Sequence, residues 1–289
     1  MRWVSPRRRR YERFLDTLDL DPDELPRPAP SPSDRDFIIC GSPRTGTSLV
    51  TAMVDGPPHV VTVMEPWDGM KLAPADLFRS IRQEISATGS VGRGRLNIGA
   101  LSNEGEVRWT RDRAASRSVH LERQYLLGVK WPAFWRYLDL LPGTKFLVCL
   151  RHPAEVIASY KKRGGRLGQG LEYRTAFNRR MNEYLLSATD DSLLRQVMLY
   201  DYIHERLLPH LERPNVLTVR YERWFVEPKA VLGEIEAFLN VPLAPGAVEI
   251  RTPAGDQSLD QNEMQVIRAH CSTAQALGYK FDRTAFPAA

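Results

Sequence analysis

The stretch from Phe37 to Val50, FIICGSPRTGTSLV, constrains the chain more than any other. Four apolar residues, Phe37 to Cys40, predict a short buried strand, which Gly41-Ser42-Pro43 ends. From Gly46 onward, Thr47, Ser48, Leu49 and Val50 predict a helix whose free N–H groups face back into the loop, forming an anion cradle. The spacing Gly41-x4-Gly46 is that of a phosphate loop, but Thr47 stands where a nucleoside triphosphatase needs lysine. Arg44 supplies a cation inside the loop instead. That change argues for a phosphorylated ligand other than a triphosphate bound with Mg²⁺. A plain glycine turn between a strand and a helix is the competing reading.

The 289 residues suffice for one sizeable core, so a single α/β domain with a helical cap is expected over two domains. Net charge is +5, yet Arg2 and Arg7 to Arg10 precede any acid and leave the rest formally neutral. A basic nucleic-acid-binding body is therefore excluded from the expectation. No apolar run reaches the ~20 residues of a membrane span, and the basic N-terminus has no apolar leader core. A cytoplasmic location follows as the expectation. Three cysteines, Cys40, Cys149 and Cys271, fit free thiols better than a disulfide framework or a metal site.

Residues 1–34 read as a basic tail running into a proline-rich, extended linker, and residues 35–289 as the domain. Within that domain HVVTVM at His59–Met64 predicts a second strand, ending on Glu65-Pro66-Trp67. In open parallel sheets ligands bind beyond the carboxyl ends of the strands, which puts Glu65 on the rim of the phosphate loop. A carboxylate desolvated by Pro66 and Trp67 suits a general base. A strand-end glutamate in a salt bridge is the plainer alternative. Pro74–Ile85 is helix-compatible, and residues 68–123 as a whole read as an acceptor-side lid, glycine-rich and then rich in arginine and tryptophan.

YLLGVK at Tyr125–Lys130 predicts a third strand ending on Lys130, and KFLVCL at Lys145–Leu150 a fourth, buried one. Arg151-His152-Pro153 then opens a helix over Ala154–Lys162. The basic turn KKRGGRLGQG, Lys161–Gly170, reads as a connector or as an acceptor contact. Tyr173–Leu211 reads as two long helices whose His204 and His210 are surface or capping groups. NVLTVR at Asn215–Arg220 predicts a fifth strand, Pro228–Leu239 a helix, and Asp260–Ala276 one further helix.

GSPRTGTS resembles the 5′-phosphosulfate loop of the sulfotransferases, which bind 3′-phosphoadenosine-5′-phosphosulfate (PAPS) on a P-loop-like fold without a metal. The resemblance implies that Ser42, Arg44, Thr45, Gly46, Thr47 and Ser48 hold the donor's 5′ end, with Arg44 against the bridging oxygen and sulfuryl group. It is similar to the carbohydrate branch in its loop, helix, turn and glutamate-aromatic succession, which implies that Glu65 deprotonates the acceptor hydroxyl. Lys130 before Trp131-Pro132-Ala133-Phe134 is similar to the family's strand-end lysine before x-P-x-[FY], and the resemblance implies that Lys130 lies near the transferred group. RHPAEVIASY resembles the 3′-phosphate motif, with Arg151 and Ser159 at the matching spacing. A forked arginine grip and a neutral hydroxyl donor suit a phosphate. VRYERWF resembles the family's segment after the long helices, and the resemblance implies that Tyr221 lies against the adenine, although core packing is an equal reading of that ring. The C-terminal basic-glycine motif of the aryl branch is not evident, and RTPAGD at Arg251–Asp256 is a weak substitute.

The expected fold class is thus α/β, P-loop-like and three-layered α/β/α, with a central parallel sheet of about five strands and a helical and loop cap. The expected reaction is transfer of the sulfuryl group of PAPS to a hydroxyl of a carbohydrate, glycolipid or other small-molecule acceptor. Glu65, Arg44 and Lys130 are its catalytic residues; no metal and no nucleic acid take part, and a homodimer is open. A P-loop kinase of a small alcohol and a non-catalytic nucleotide-binding protein are the alternatives.

Overall fold

The computed structural model describes residues 32–66, 69, 72–91, 117–118, 121–173, 178–243 and 259–281. The N-terminal tail, most of the expected lid, Trp67 and Arg251–Asp256 lie outside the described residues.

Five strands form one sheet: β1 (Asp36–Gly41), β2 (Val60–Met64), β3 (Leu126–Lys130), β4 (Lys145–Leu150) and β5 (Val216–Arg220). Their order is β2-β3-β1-β4-β5, and every pairing is parallel. The helices include α1 (Thr47–Val54), α2 (Pro74–Thr88), α3 (Pro153–Arg163), α4 (Arg179–Ala188), α5 (Ser192–Leu207), α6 (Pro228–Leu239), α7 (Gln261–His270) and α8 (Thr273–Ala276), with a single turn at Gly165–Gly168 after α3.

Because side chains alternate across a strand, β1 sends Ile38 and Cys40 to one face and Phe37 and Ile39 to the other. The first face packs under α2, α3, α5 and α7 and the second under α1 and α6, which gives the expected three layers. Both faces being covered explains why β1, β2 and β4 read as largely apolar runs, Thr62 in β2 being tied to Asp55 by its N–H and hydroxyl. Cys40 and Cys149 are buried in these runs, and all three cysteines are free thiols. Among the described residues no helix is long and apolar enough to cross a membrane.

Two expectations need correction. The predicted Asp260–Ala276 helix is broken: α7 ends at His270 and α8 begins at Thr273. The break is made by the buried Asp201 of α5, whose carboxylate accepts hydrogen bonds from the backbone N–H groups of Ser272 (2.7 Å) and Thr273 (3.1 Å) and from both hydroxyls. Nor is His204 a surface group. It is fully buried, stacks on Tyr200 at 3.7 Å, and is pushed down to a pKa of about 4 by burial. His210 is buried too.

Gly128 in β3 is required by its neighbour across the sheet. A Cβ there would lie 2.4 Å from Cζ of Phe37, in the core between sheet and α1. Gly128→Ala is expected to destabilise the fold by about 1–3 kcal/mol through overpacking, read as a lowered denaturant midpoint, and Phe37→Leu in the same chain should recover part of it.

Candidate active site

β1 is the central strand, and the strands on its two sides are reached by different routes: β3 from beyond the α2 region, β4 directly after it. Its carboxyl end is therefore the place where a crevice opens in a sheet of this kind. Gly41 makes the exit with φ 144°, where a Cβ would lie 2.5 Å from the Cys149 carbonyl oxygen of β4. Thr45 Oγ1 donates to the Ser42 carbonyl at 2.7 Å, and the Ser42 and Tyr160 hydroxyls meet at 2.9 Å, so helix α3 steadies the loop. Gly46, at φ 93°, starts α1 with no side-chain cap, which leaves the first-turn N–H groups to the loop interior.

The two segments expected to hold phosphate are in contact. Arg44 Nε donates to Ser159 Oγ at 2.8 Å, and an Arg151 Nη donates to the Arg44 carbonyl at 3.3 Å. Arg151 is further set by Glu155 at 3.2 Å and by the face of Tyr221, 4.2 Å from its guanidinium carbon. Its buried Nε has no hydrogen-bond partner among the described residues. An arginine donor left open in this way is costly unless a ligand fills it. Arg44 itself stands at φ 72°, a left-handed conformation that turns its side chain toward α3.

Tyr221 is buried beneath the loop rather than open beside it. A Cβ on Gly46 would lie 2.4 Å from its ring, Phe225 meets it edge-on at 5.0 Å, and Arg151 covers one face. It thus supports both phosphate motifs from behind. His152, between Arg151 and α3, accepts the Ala154 N–H at Nδ1 and donates from Nε2 to the Lys280 carbonyl at 3.0 Å, docking the C-terminal segment beside the site.

On the other side of β1, Glu65 and Lys130 form an ion pair at 2.6 Å, and the Glu65 N–H donates to the Lys130 carbonyl at 2.7 Å. Lys130 is 3% exposed, and its charge reaches the Cys149 thiol beyond β1. The apolar surroundings expected for Glu65 are thus replaced on one side by a cation. Glu65 also has φ 45°, so its backbone leaves the strand line where the carboxylate is presented.

Sequence reasoning passed over Glu172. It follows the one-turn helix Gly165–Gly168, is 6% exposed, and lies within charge range of Glu65, Arg136 and Arg166. Burial foremost, and the charge of Glu65, push its pKa up to about 7, against the opposing pull of the Tyr173 N–H and the two arginines. Its signal in the sequence was slight: one acid after a glycine-rich turn, GQGLEY.

A family model described as "Sulfotransferase family" matches residues 36–245. The chain belongs to the sulfotransferase family. With that membership its activity is PAPS-dependent sulfuryl transfer. No curated protein sequence matches it. Among solved structures it is similar to the sulfotransferase domain of the curacin biosynthetic pathway, at 15% identity and TM-score 0.42, over 89% of this chain and 99% of that one. It is similar also to a sulfotransferase from Alicyclobacillus acidocaldarius, at 15% identity and TM-score 0.41, over 89% and 97%. A mouse sulfotransferase complexed with PAP matches at 12% identity and TM-score 0.36, over 88% of this chain and 70% of that one.

The raised pKa of Glu172 has a consequence for stability. A buried acid that holds its proton up to about 7, where the unfolded chain releases it near the ordinary glutamate value of 4.5, stabilises the fold fully below that lower value. The contribution is lost as pH rises toward 7. In Glu172→Gln this slope disappears, so the melting temperature of the variant relative to wild type should rise between pH 5 and pH 8, as read by calorimetric scans at both.

Proposed function

We propose that the sulfotransferase uses this crevice to move the sulfuryl group of PAPS to a hydroxyl of a carbohydrate-like, glycolipid or other small-molecule acceptor. The observation that carries the reading is the contact of Arg44 with Ser159 and of Arg151 with the Arg44 backbone, which brings both phosphate motifs onto one crevice. A ligand bridging them needs phosphate at both ends, and an adenosine 3′,5′-bisphosphate skeleton is such a molecule.

In this reading the loop from Ser42 to Ser48 holds the 5′ end through backbone N–H groups and hydroxyls, and the open N-terminus of α1 adds its partial positive charge. Arg151 and Ser159 hold the 3′-phosphate, the unpartnered Arg151 Nε turning a buried deficit into a charge-assisted hydrogen bond. Glu65 takes the proton of the acceptor hydroxyl while the new O–S bond forms and the bond from sulfur to the 5′-phosphate oxygen breaks. Negative charge gathers on that leaving oxygen, and Arg44 and Lys130 oppose it. Fixed cations in a desolvated crevice need little rearrangement as the charge develops, which is the main source of the rate effect.

The Glu65–Lys130 ion pair fits both roles. It fixes the carboxylate before an acceptor arrives and holds the lysine at the rim between the base and β1.

Calorimetric titration should show binding of adenosine 3′,5′-bisphosphate without Mg²⁺. Arg151→Ala should weaken it about 10- to 100-fold, the equivalent of one charge-assisted hydrogen bond. Tighter binding of ATP with Mg²⁺ than of the bisphosphate would sink the assignment. Glu65→Gln should keep bisphosphate affinity and lose about 10²- to 10⁴-fold in turnover; an active variant removes Glu65 from the chemistry.

A further inference from the structure

Two consecutive residues beyond β5 hold the two ends of Arg151. The last paired residues of β4 and β5 are Leu150 and Arg220, so Arg151 stands just past the ladder, level with the 3₁₀ turn Tyr221–Phe225. Tyr221 covers the guanidinium at 4.2 Å. Glu222 takes the backbone end: its Oε1 accepts the His152 N–H at 2.6 Å.

That N–H belongs to the same peptide unit as the Arg151 carbonyl, and the carbonyl is held as well, accepting the Tyr200 hydroxyl of α5 at 3.0 Å. Both polar ends of one peptide are thus bound by side chains from two other elements. With the preceding residue held in the sheet and the following peptide held by Glu222 and Tyr200, both soft backbone dihedrals of Arg151 are set. The direction in which its side chain leaves is then set too.

Helix capping does not account for this grip. α3 has its own cap, since His152 Nδ1 accepts the Ala154 N–H at 3.2 Å, and Pro153 at the first position has no N–H to satisfy. Glu222 therefore acts on the peptide before the helix. It does so at a cost, because its second oxygen, Oε2, is buried without a hydrogen-bond partner among the described residues. A contact of 2.6 Å is at the short end of those a carboxylate makes with a backbone N–H, and such bonds are about twice as strong as neutral ones. Tyr200 is fully buried and stacked on His204, so its hydroxyl is firmly placed.

At the far end of Arg151, the Arg44 carbonyl and Glu155 hold the Nη groups, while the buried Nε stays open. An arginine fixed at both ends loses little freedom when it binds an anion. On the reading above, in which Arg151 holds the 3′-phosphate, we propose that Glu222 and Tyr200 are positioning residues of that subsite. By gripping the Arg151–His152 peptide they aim the guanidinium, and so set the preference for an adenosine that carries a 3′-phosphate over one that lacks it. They act through Arg151 and not by contact with the nucleotide.

The test is calorimetric titration of the full chain with adenosine 3′,5′-bisphosphate and with adenosine 5′-phosphate, which lacks only the 3′-phosphate. Wild type should prefer the bisphosphate by about 10- to 100-fold. Glu222→Ala should cut that preference about tenfold and Tyr200→Phe, which keeps the ring, about threefold, each with 5′-phosphate affinity within about twofold of wild type. Glu222→Gln still offers an acceptor to the His152 N–H and should keep most of the preference. In an Arg151→Ala background, Glu222→Ala should weaken bisphosphate binding no further, because a residue that acts through Arg151 has nothing left to act on. An undiminished preference in either single variant, equal weakening toward both nucleotides, or additive losses in the double variant overturns the proposal. Should Glu222→Ala not fold, Tyr200→Phe, alone and with Arg151→Ala, decides among the same outcomes. A wild type that binds both nucleotides equally sinks the 3′-phosphate reading itself, and this is seen before any variant is made.

Discussion

The contact on which the rest depends is the one between Arg44 and helix α3. A loop leaving β1 can turn toward either neighbouring strand, and a lone GxxxxG does not decide which. The hydrogen bond from Arg44 to Ser159, the return contact from Arg151 to the Arg44 carbonyl, and the Ser42–Tyr160 pair fasten it to the β4 side. Three hydrogen bonds of this kind are each worth only about 1 kcal/mol net. Their effect is to fix orientation: two cations that repel are kept near each other by backbone and hydroxyl groups, and an anion between them then gains from both.

The opposite rim works by a different balance. Lys130 is buried at the end of β3, where an isolated ammonium would be strongly disfavoured, and Glu65 lies 2.6 Å away. Removing Glu65 would leave the buried Lys130 ammonium without this counter-charge. The loop side carries Arg44 and Arg151, whereas the opposite rim carries the paired charges of Lys130 and Glu65, with Glu172 within charge range of Arg136 and Arg166.

Much of this was legible before any coordinates. Phe37–Cys40, Lys145–Leu150 and the β-branched His59–Met64 announce strands because both faces of a parallel sheet are covered and nearly every position is apolar. Arg151 and Ser159 could be paired through their likeness to the 3′-phosphate motif, Arg151 standing just before α3 and Ser159 within it. Other features depend on packing that sequence does not report. The break between α7 and α8 is imposed by Asp201, some seventy residues earlier, and nothing in CSTAQALGY announces a cap supplied from another helix. His204 looked like a surface group because a histidine on an amphipathic helix suits either face; the core took it as a neutral ring stacked on Tyr200. Glu172 was hidden by a glycine-rich turn whose rigidity comes from Arg195, Gln196 and Asn182, all downstream.

Backbone conformation carries a further argument. Among the described residues three that are not glycine have positive φ: Arg44, Glu65 and Asn240. Asn240 caps α6, a place where asparagine in the left-handed region is ordinary. Arg44 and Glu65 have no such local reason, and each carries a cost of about 1–2 kcal/mol that glycine would avoid. Glycine at either place would relieve the backbone and delete the side chain, so the cost persists only where the side chain is needed. That the two strained residues are the cation of the loop, turned to Ser159, and the carboxylate paired with Lys130 ties the strain to the chemistry proposed for them.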